Sequence, residues 1–247
     1  MLNRGVLLSI ASTLCLLAIS PHSRAKEMTA EDFFKSPVQA SLANAAAKGN
    51  AAELDALLAR GADLNATGID GMTALHRAMS YRSKKGVSWL LEHAANPNAI
   101  FSGDGTCATS LAAMQEDSWF LREMLAHGGD MNVRNPLNGR TPLAEAMTSR
   151  RTENVRLLIA SGADMNTRDS LGLTPMISAA MNQMYDLVYD MLVAGADPTM
   201  DIPKSNGKTV LTIIRKSRAL PGTPPYESRQ RVIELLKQKG FDVEHGD

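Results

Sequence analysis

Apolar residues in this chain gather in short blocks at helical spacing, and each block runs into a polar segment. The block from Val155 to Ile159 is expected to face neighbouring elements. The segment Gly162-Ala163-Asp164 follows it, and its glycine can end a helix by taking a left-handed conformation. Upstream, Thr141-Pro142 is typical of a helix start, because the threonine hydroxyl caps free N–H groups and proline has none. The pattern predicts a helix, a turn, a second helix and an extended loop.

This pattern returns with a fixed step along the chain. Neighbouring members of the series Asp63, Asn96, Asp130, Asp164 and Asp197 are 33 or 34 residues apart. A period of this size indicates a stack of like units, each of which buries its apolar side against its neighbours. Such a stack presents an extended surface rather than a deep pocket as its working part.

The three fullest units place a threonine, Thr73, Thr141 or Thr174, 23 residues before the Asp or Asn of the series. They resemble the ankyrin repeat, whose signature combines Thr-Pro-Leu-His with a later Gly-Ala-Asp-x-Asn. The resemblance implies an all-α ankyrin-repeat solenoid of about six units, four full repeats between two caps. Each unit then consists of two antiparallel helices and a projecting hairpin-like loop. The expected units are residues 38–65, 66–99, 100–132, 133–166, 167–199 and 200–243.

Several segments depart from the signature. Ala108-Thr109-Ser110-Leu111 replaces Thr-Pro-Leu in the third unit, after a longer loop at 100–105 that is a candidate contact. The first unit has helices at Leu42–Lys48 and Leu54–Leu58 and is expected to be a cap, with a capped helical turn at Thr29–Phe34. The last unit contains extra residues at 218–226, which predict a Pro-rich loop.

The first 25 residues predict a secretory signal. A positive start is followed by an apolar run from Val6 to Ile19, and Ser23-Arg24-Ala25 supplies small residues for cleavage after Ala25. The run is too short for a membrane span. We therefore expect a periplasmic protein with an extension at 26–37, the repeat domain at 38–243 and a tail at 244–247. Cleavage lowers the formal net charge from zero to about −2, so nothing favours nucleic acid as a partner.

Catalytic chemistry has little support in the sequence, which lacks the common nucleophile, phosphate-binding and zinc motifs. The resemblance gives His76 a structural role between neighbouring loops, and His93 and His127 are expected to close helices. The recurring Asp residues are expected to fix turns, because units about 10 Å apart cannot share a metal ion. We predict no enzyme, no cofactor and no metal; a hidden enzyme, the alternative, would need Cys107 and Asp104 to converge with His127.

Partner binding is expected, by the resemblance, at the loop tips and at the exposed face of each first helix. Such a mixture of apolar tips and polar helix residues suits an interface with a polar rim. Trp89 and Trp119 are expected to pack between repeats. The candidate partner-binding residues are Ile69, Asp70, Met72, Ser80, Tyr81, Phe101, Asp104, Gln115, Glu116, Leu137, Asn138, Arg140, Thr148, Ser149, Arg150, Leu171, Leu173, Met181 and Asn182.

The hypothesis that follows is a non-enzymatic protein-binding module in the periplasm. Exported bacterial ankyrin proteins of this size resemble immunity proteins that block a toxin, such as a phospholipase effector of a type VI secretion system. They also resemble stress-related proteins that support periplasmic catalase. A secreted effector that acts on host proteins is the remaining alternative. These partners follow from family-level analogy and not from particular residues.

Overall fold

The computed structural model describes residues 29–101, 103–203 and 205–243, and the predicted signal segment and tail lie outside them. The predicted all-α repeat architecture is confirmed. The chain divides into two compact units, one ending at Leu137 and the other beginning at Asn138. The helices of the first unit are α1 Ala30–Phe33, α2 Pro37–Lys48, α3 Ala51–Ala59, α4 Ala74–Ser80, α5 Lys84–Glu92, α6 Ala108–Met114 and α7 Trp119–Ala126. Those of the second are α8 Pro142–Thr148, α9 Thr152–Ala160, α10 Pro175–Met181, α11 Tyr185–Val193, α12 Val210–Lys216 and α13 Pro224–Gln238.

Threonine caps start the first helices of the repeats, as predicted. The hydroxyl of Thr73 accepts the N–H of His76 at 3.3 Å, and Thr141 and Thr174 cap α8 and α10 in the same way. In the third repeat Cys107 takes this place, because its Sγ accepts the N–H of Ser110 at 3.3 Å. The segment Ala108-Thr109-Ser110-Leu111 is therefore helical and does not replace the cap.

The turns after the second helices repeat one hydrogen bond, which confirms the role predicted for the Asp residues. In each turn an Asp Oδ1 accepts the N–H of the residue two places on, so the loop direction is fixed. The measured N···O distances are 2.9 Å at Asp63 and 2.8 Å at Asp130, Asp164 and Asp197.

Asparagine side chains join successive turns, a role that the sequence analysis did not assign. The amide oxygen of an Asn in one repeat accepts the backbone N–H of the turn residue in the next. The N–H of Asn96 donates to Asn65 at 2.7 Å, and that of Asp130 donates to Asn98 at 2.8 Å. The N–H of Asp197 donates to Asn166 at 3.1 Å. Asn98 also donates to the carbonyl of Gly128 at 2.9 Å. This row of amides fixes the spacing of the repeats.

The core of each unit is thin and made mostly of small and aliphatic residues, which lets helices approach closely. Gly86 in α5 shows how close, since a Cβ built there would lie 1.9 Å from the carbonyl oxygen of Ala46 in α2. Trp89 packs between repeats, as predicted: it is 7% exposed, and its Nε1 donates to Asp55 Oδ1 at 2.9 Å. Lys84 lies 5.2 Å from the centre of the Trp119 ring.

The end segments behave differently from each other. At the N-terminal end, Thr29 and Asp32 form the predicted capped turn, α1, and Phe33 and Phe34 are buried. At the C-terminal end, the predicted loop at 218–226 is only partly correct. Pro224, Pro225 and Tyr226 belong to α13, because proline at the first helical positions loses no hydrogen bond.

Candidate functional site

Two of the projecting hairpin-like loops are each closed by a backbone hydrogen bond. The N–H of Gly68 donates to the carbonyl of Met72 at 2.7 Å, and the N–H of Asp169 donates to that of Leu173 at 3.0 Å. Between them the loops expose large apolar side chains. Ile69 is 48% exposed and Leu171 is 67% exposed, and Leu137 at the end of the N-terminal unit is 65% exposed. Asp70 is also exposed, with φ of 56°.

Met72 was predicted to lie on the partner-binding surface, and this prediction is wrong. It is only 8% exposed, because the residue after the loop glycine turns back toward the helices. Its counterpart Leu173 is half-buried. Methionine at this position fills the base of the loop, and the exposed part of the tip is confined to Ile69 and Asp70.

The last residues of the first helices present two kinds of side chain. One kind bonds back to its own helix: Ser80 Oγ donates to the carbonyl of His76 at 3.0 Å, Thr148 Oγ1 to that of Ala144 at 2.9 Å and Asn182 Nδ2 to that of Ser178 at 2.8 Å. The other kind projects, as Tyr81 (45% exposed), Met181 (56% exposed) and the exposed Arg150 do. Ser149 is half-buried. The projecting side chains are therefore the better candidates for partner contact.

Arg77 holds Tyr81 in place, although no sequence motif singles out this arginine. Its guanidinium lies 4.9 Å from the centre of the Tyr81 ring and 5.9 Å from that of Phe33, and its Nη2 donates to the Tyr81 hydroxyl at 3.2 Å. The N-terminal helix α1 and the end of α4 therefore share one buried cation. The only sign of Arg77 in the sequence is a charged residue in a first helix whose other residues are apolar apart from His76 and Ser80.

Two residues predicted to contact a partner, Arg140 and Asn138, also interact with side chains of their own C-terminal unit. Arg140 lies 3.9 Å from Glu145 and 3.9 Å from Asp169, whose carboxylates are each 9% exposed. Asn138 donates to Glu145 at 3.5 Å. Arg140 and Asn138 are half-buried, so they position neighbouring loops as well as presenting surface.

The irregular loop of the N-terminal unit forms a short hairpin, with β1 at Ile100–Phe101 and β2 at Thr106–Cys107. Its Phe101 ring lies 6.3 Å from the ring of buried His76, which places this histidine against the next loop. Burial lowers the pKa of His76 to about 4, and the Asp104 carboxylate opposes that shift. Phe101 and Asp104 are half-buried, as is Gln115, whereas Glu116 is exposed.

The residues of the alternative enzyme site have separate local roles. Asp104 Oδ1 accepts the N–H of Thr106 at 2.9 Å, Cys107 caps α6, and His127 Nδ1 bonds the Glu123 carbonyl at 3.0 Å. Across the described residues, no group of three His, Cys, Asp or Glu side chains could hold a metal ion. No helix in the same part of the chain has the length and apolarity needed to cross a membrane.

Comparison with known proteins finds one matching family and two similar proteins. Three copies of the family model for ankyrin repeats match residues 14–100 and 109–202. Protein PhlB of Serratia liquefaciens is 36% identical over 140 residues, which cover 57% of this chain and 61% of that protein. The inactive serine/threonine-protein kinase TEX14 of Mus musculus is 28% identical over 126 residues, 51% of this chain and 9% of that protein. This chain therefore spans less than two thirds of either relative.

Proposed function

The chain belongs to the ankyrin repeat family, and from that premise we propose that it acts in the periplasm as an immunity protein that binds and blocks one toxic enzyme. The ankyrin repeats themselves indicate a protein–protein interaction module. The proposal adds a location and a kind of partner. Its location is supported by the signal-like pattern of the first 25 residues.

One observation carries the binding role: large apolar side chains are exposed on loops whose backbone is held by repeated hydrogen bonds. Ile69, Leu137 and Leu171 are between 48% and 67% exposed. Covering one such side chain contributes about 1 to 2 kcal/mol to association. Because the loops are already fixed by the Asp turns and the Asn row, little conformational entropy is lost on binding. Preformed apolar loops of this kind suit binding to a protein partner.

A direct test uses the enzyme encoded by the neighbouring gene. If that gene encodes a lipase-like enzyme, the purified mature chain should inhibit it fully at an equimolar ratio. A neighbouring catalase whose recovery from oxidative inactivation depends on this chain would instead support the stress role. Unchanged activity of the enzyme, with no complex by size-exclusion chromatography, would contradict the proposal.

A further inference from the structure

A shallow groove of about 350 Å³ opens on the C-terminal unit, lined by the end of α10, the start of α11, and α12. Met181, Ala180 and Ile213 supply its apolar part. Met181 is 56% exposed, so a substantial apolar side chain lies open to solvent at the groove. The groove therefore offers a partner both apolar contact and a concave shape.

Positive charge surrounds this apolar part without compensation. Lys208, Lys216 and Arg218 line the groove, and no acidic side chain lines it. These three cations make no ion pair with any described residue, whereas on the same unit Arg156 pairs with Asp190 at 2.8 Å. Unpaired cations at a groove attract an anionic ligand and raise its association rate.

One of the residues that line the groove is almost completely buried. Tyr185 lines the groove and is 1% exposed. Its hydroxyl has no hydrogen-bond partner within the part of the chain that the structure describes. Leaving a buried hydroxyl without a partner is unfavourable, and such groups in native proteins usually have one. Since the hydroxyl oxygen is itself buried, a ligand in the groove does not reach it.

We propose that this groove binds an acidic segment of the partner protein, an inference that rests on the proposed function. The partner's carboxylates meet Lys208, Lys216 and Arg218, and an apolar side chain of the segment packs on Met181. A nucleic acid fits less well, because the groove has no exposed aromatic ring on which a base could stack.

The test is a titration of the isotope-labelled mature chain followed by NMR. The probes are the acidic peptide acetyl-EDLEDLE-amide, its neutral counterpart acetyl-QNLQNLQ-amide and an oligothymidylate. We expect amide shifts at Met181, Tyr185 and Lys216 with the acidic peptide, weakened by added salt, and none with the neutral peptide. Equal shifts with both peptides, no shifts at these residues, or shifts with the oligothymidylate alone would overturn the proposal.

Variants separate the groove from a general effect of charge. Joint substitution Lys208→Glu, Lys216→Glu and Arg218→Glu should abolish the shifts caused by the acidic peptide. The matched control Lys48→Glu, Arg60→Glu and Lys239→Glu changes the net charge equally, at exposed positions outside the groove, and should retain them. Shifts that survive in the groove variant would overturn the proposal.

The groove and the proposed function can fail separately. If the wild-type chain blocks the toxic enzyme and the groove variant blocks it equally well, the groove assignment is wrong and the function stands. If the acidic peptide binds the groove but no enzyme is blocked, the function is wrong and the groove stands.

Discussion

Replacing Gly86 with alanine should destabilise the N-terminal unit, although alanine is the better helix former. Gly86 lies in α5, where its backbone packs directly on the carbonyl of Ala46 in α2. A Cβ at this position would lie 1.9 Å from the Ala46 oxygen and 2.7 Å from the Ala46 carbonyl carbon. Both atoms are backbone, so no side-chain rotation can relieve the contact, and α5 has to move away from α2.

The size of the change in the free energy of unfolding follows from two opposing effects of Gly86→Ala. Alanine gains about 1 kcal/mol over glycine in a helix interior. Overpacking against a backbone atom costs about 3 kcal/mol, the upper part of the usual range, because the overlap exceeds 1 Å. The free energy of unfolding should therefore fall by about 2 kcal/mol. For a unit of this size, such a loss lowers the melting temperature by roughly 8 to 16 °C.

Tryptophan fluorescence during urea unfolding measures this change in the right part of the molecule. The chain has two tryptophans, Trp89 and Trp119, and both lie in the N-terminal unit. Gly61→Ala is the matched control, because φ of +81° makes alanine unfavourable there while no atom lies within 4 Å of its Cβ. Gly61→Ala should lower the free energy of unfolding by about 1 kcal/mol. An unfolding midpoint for Gly86→Ala at or above the wild-type value would refute the close approach of α5 and α2.

Three further predictions concern the same unit. Ala94→Gly should stabilise it by about 0.5 to 1 kcal/mol, because Ala94 has φ of 65° where equivalent turns have glycine; a lower urea midpoint would contradict this. Asn98→Ala should lower the free energy of unfolding by about 1 to 2 kcal/mol, since its amide bonds Asp130 and Gly128 of the next repeat; an unchanged midpoint would show that the amide row does not fix the repeats. Because the pKa of His76 falls from 6.5 to about 4 on folding, the unfolded chain binds the proton first. Stability should therefore decrease as pH falls from 6.5 toward 4, by about 2 to 3 kcal/mol in total. The slope of unfolding free energy against pH should flatten in His76→Gln, and an equal slope would exclude His76 as its source.

Local rules predicted the scaffold well. A threonine followed by a helical apolar pattern specifies a helix start without long-range information, and Thr73, Thr141 and Thr174 cap helices as expected. The Asp turns are equally local, since each carboxylate bonds a backbone N–H two residues away. Cys107 escaped prediction because its thiol caps a helix in the place of threonine, and sequence patterns give little weight to a sulfur acceptor.

Features that depend on neighbouring repeats were harder to predict. The burial of Met72 depends on how the loop folds back, and the role of Asn98 appears only when the next turn lies beside it. The groove at Met181 joins α10 to α12, two segments from successive repeats. Tyr185, whose hydroxyl lacks a partner among the described residues, reads in the sequence as an ordinary apolar helix residue. The sequence therefore predicted where the loops lie, but not how neighbouring loops and helices pack against one another.

The most direct test of partner binding by the loops is a calorimetric titration of the mature chain into the enzyme encoded by the neighbouring gene. The wild-type chain should form a one-to-one complex. The joint variant Ile69→Ser, Leu137→Ser and Leu171→Ser should bind about 100-fold more weakly at an unchanged melting temperature, because exposed side chains contribute to the interface and not to the core. Equal affinity of this variant and the wild-type chain, or no heat of binding with either, would contradict the claim that the loops form the working surface.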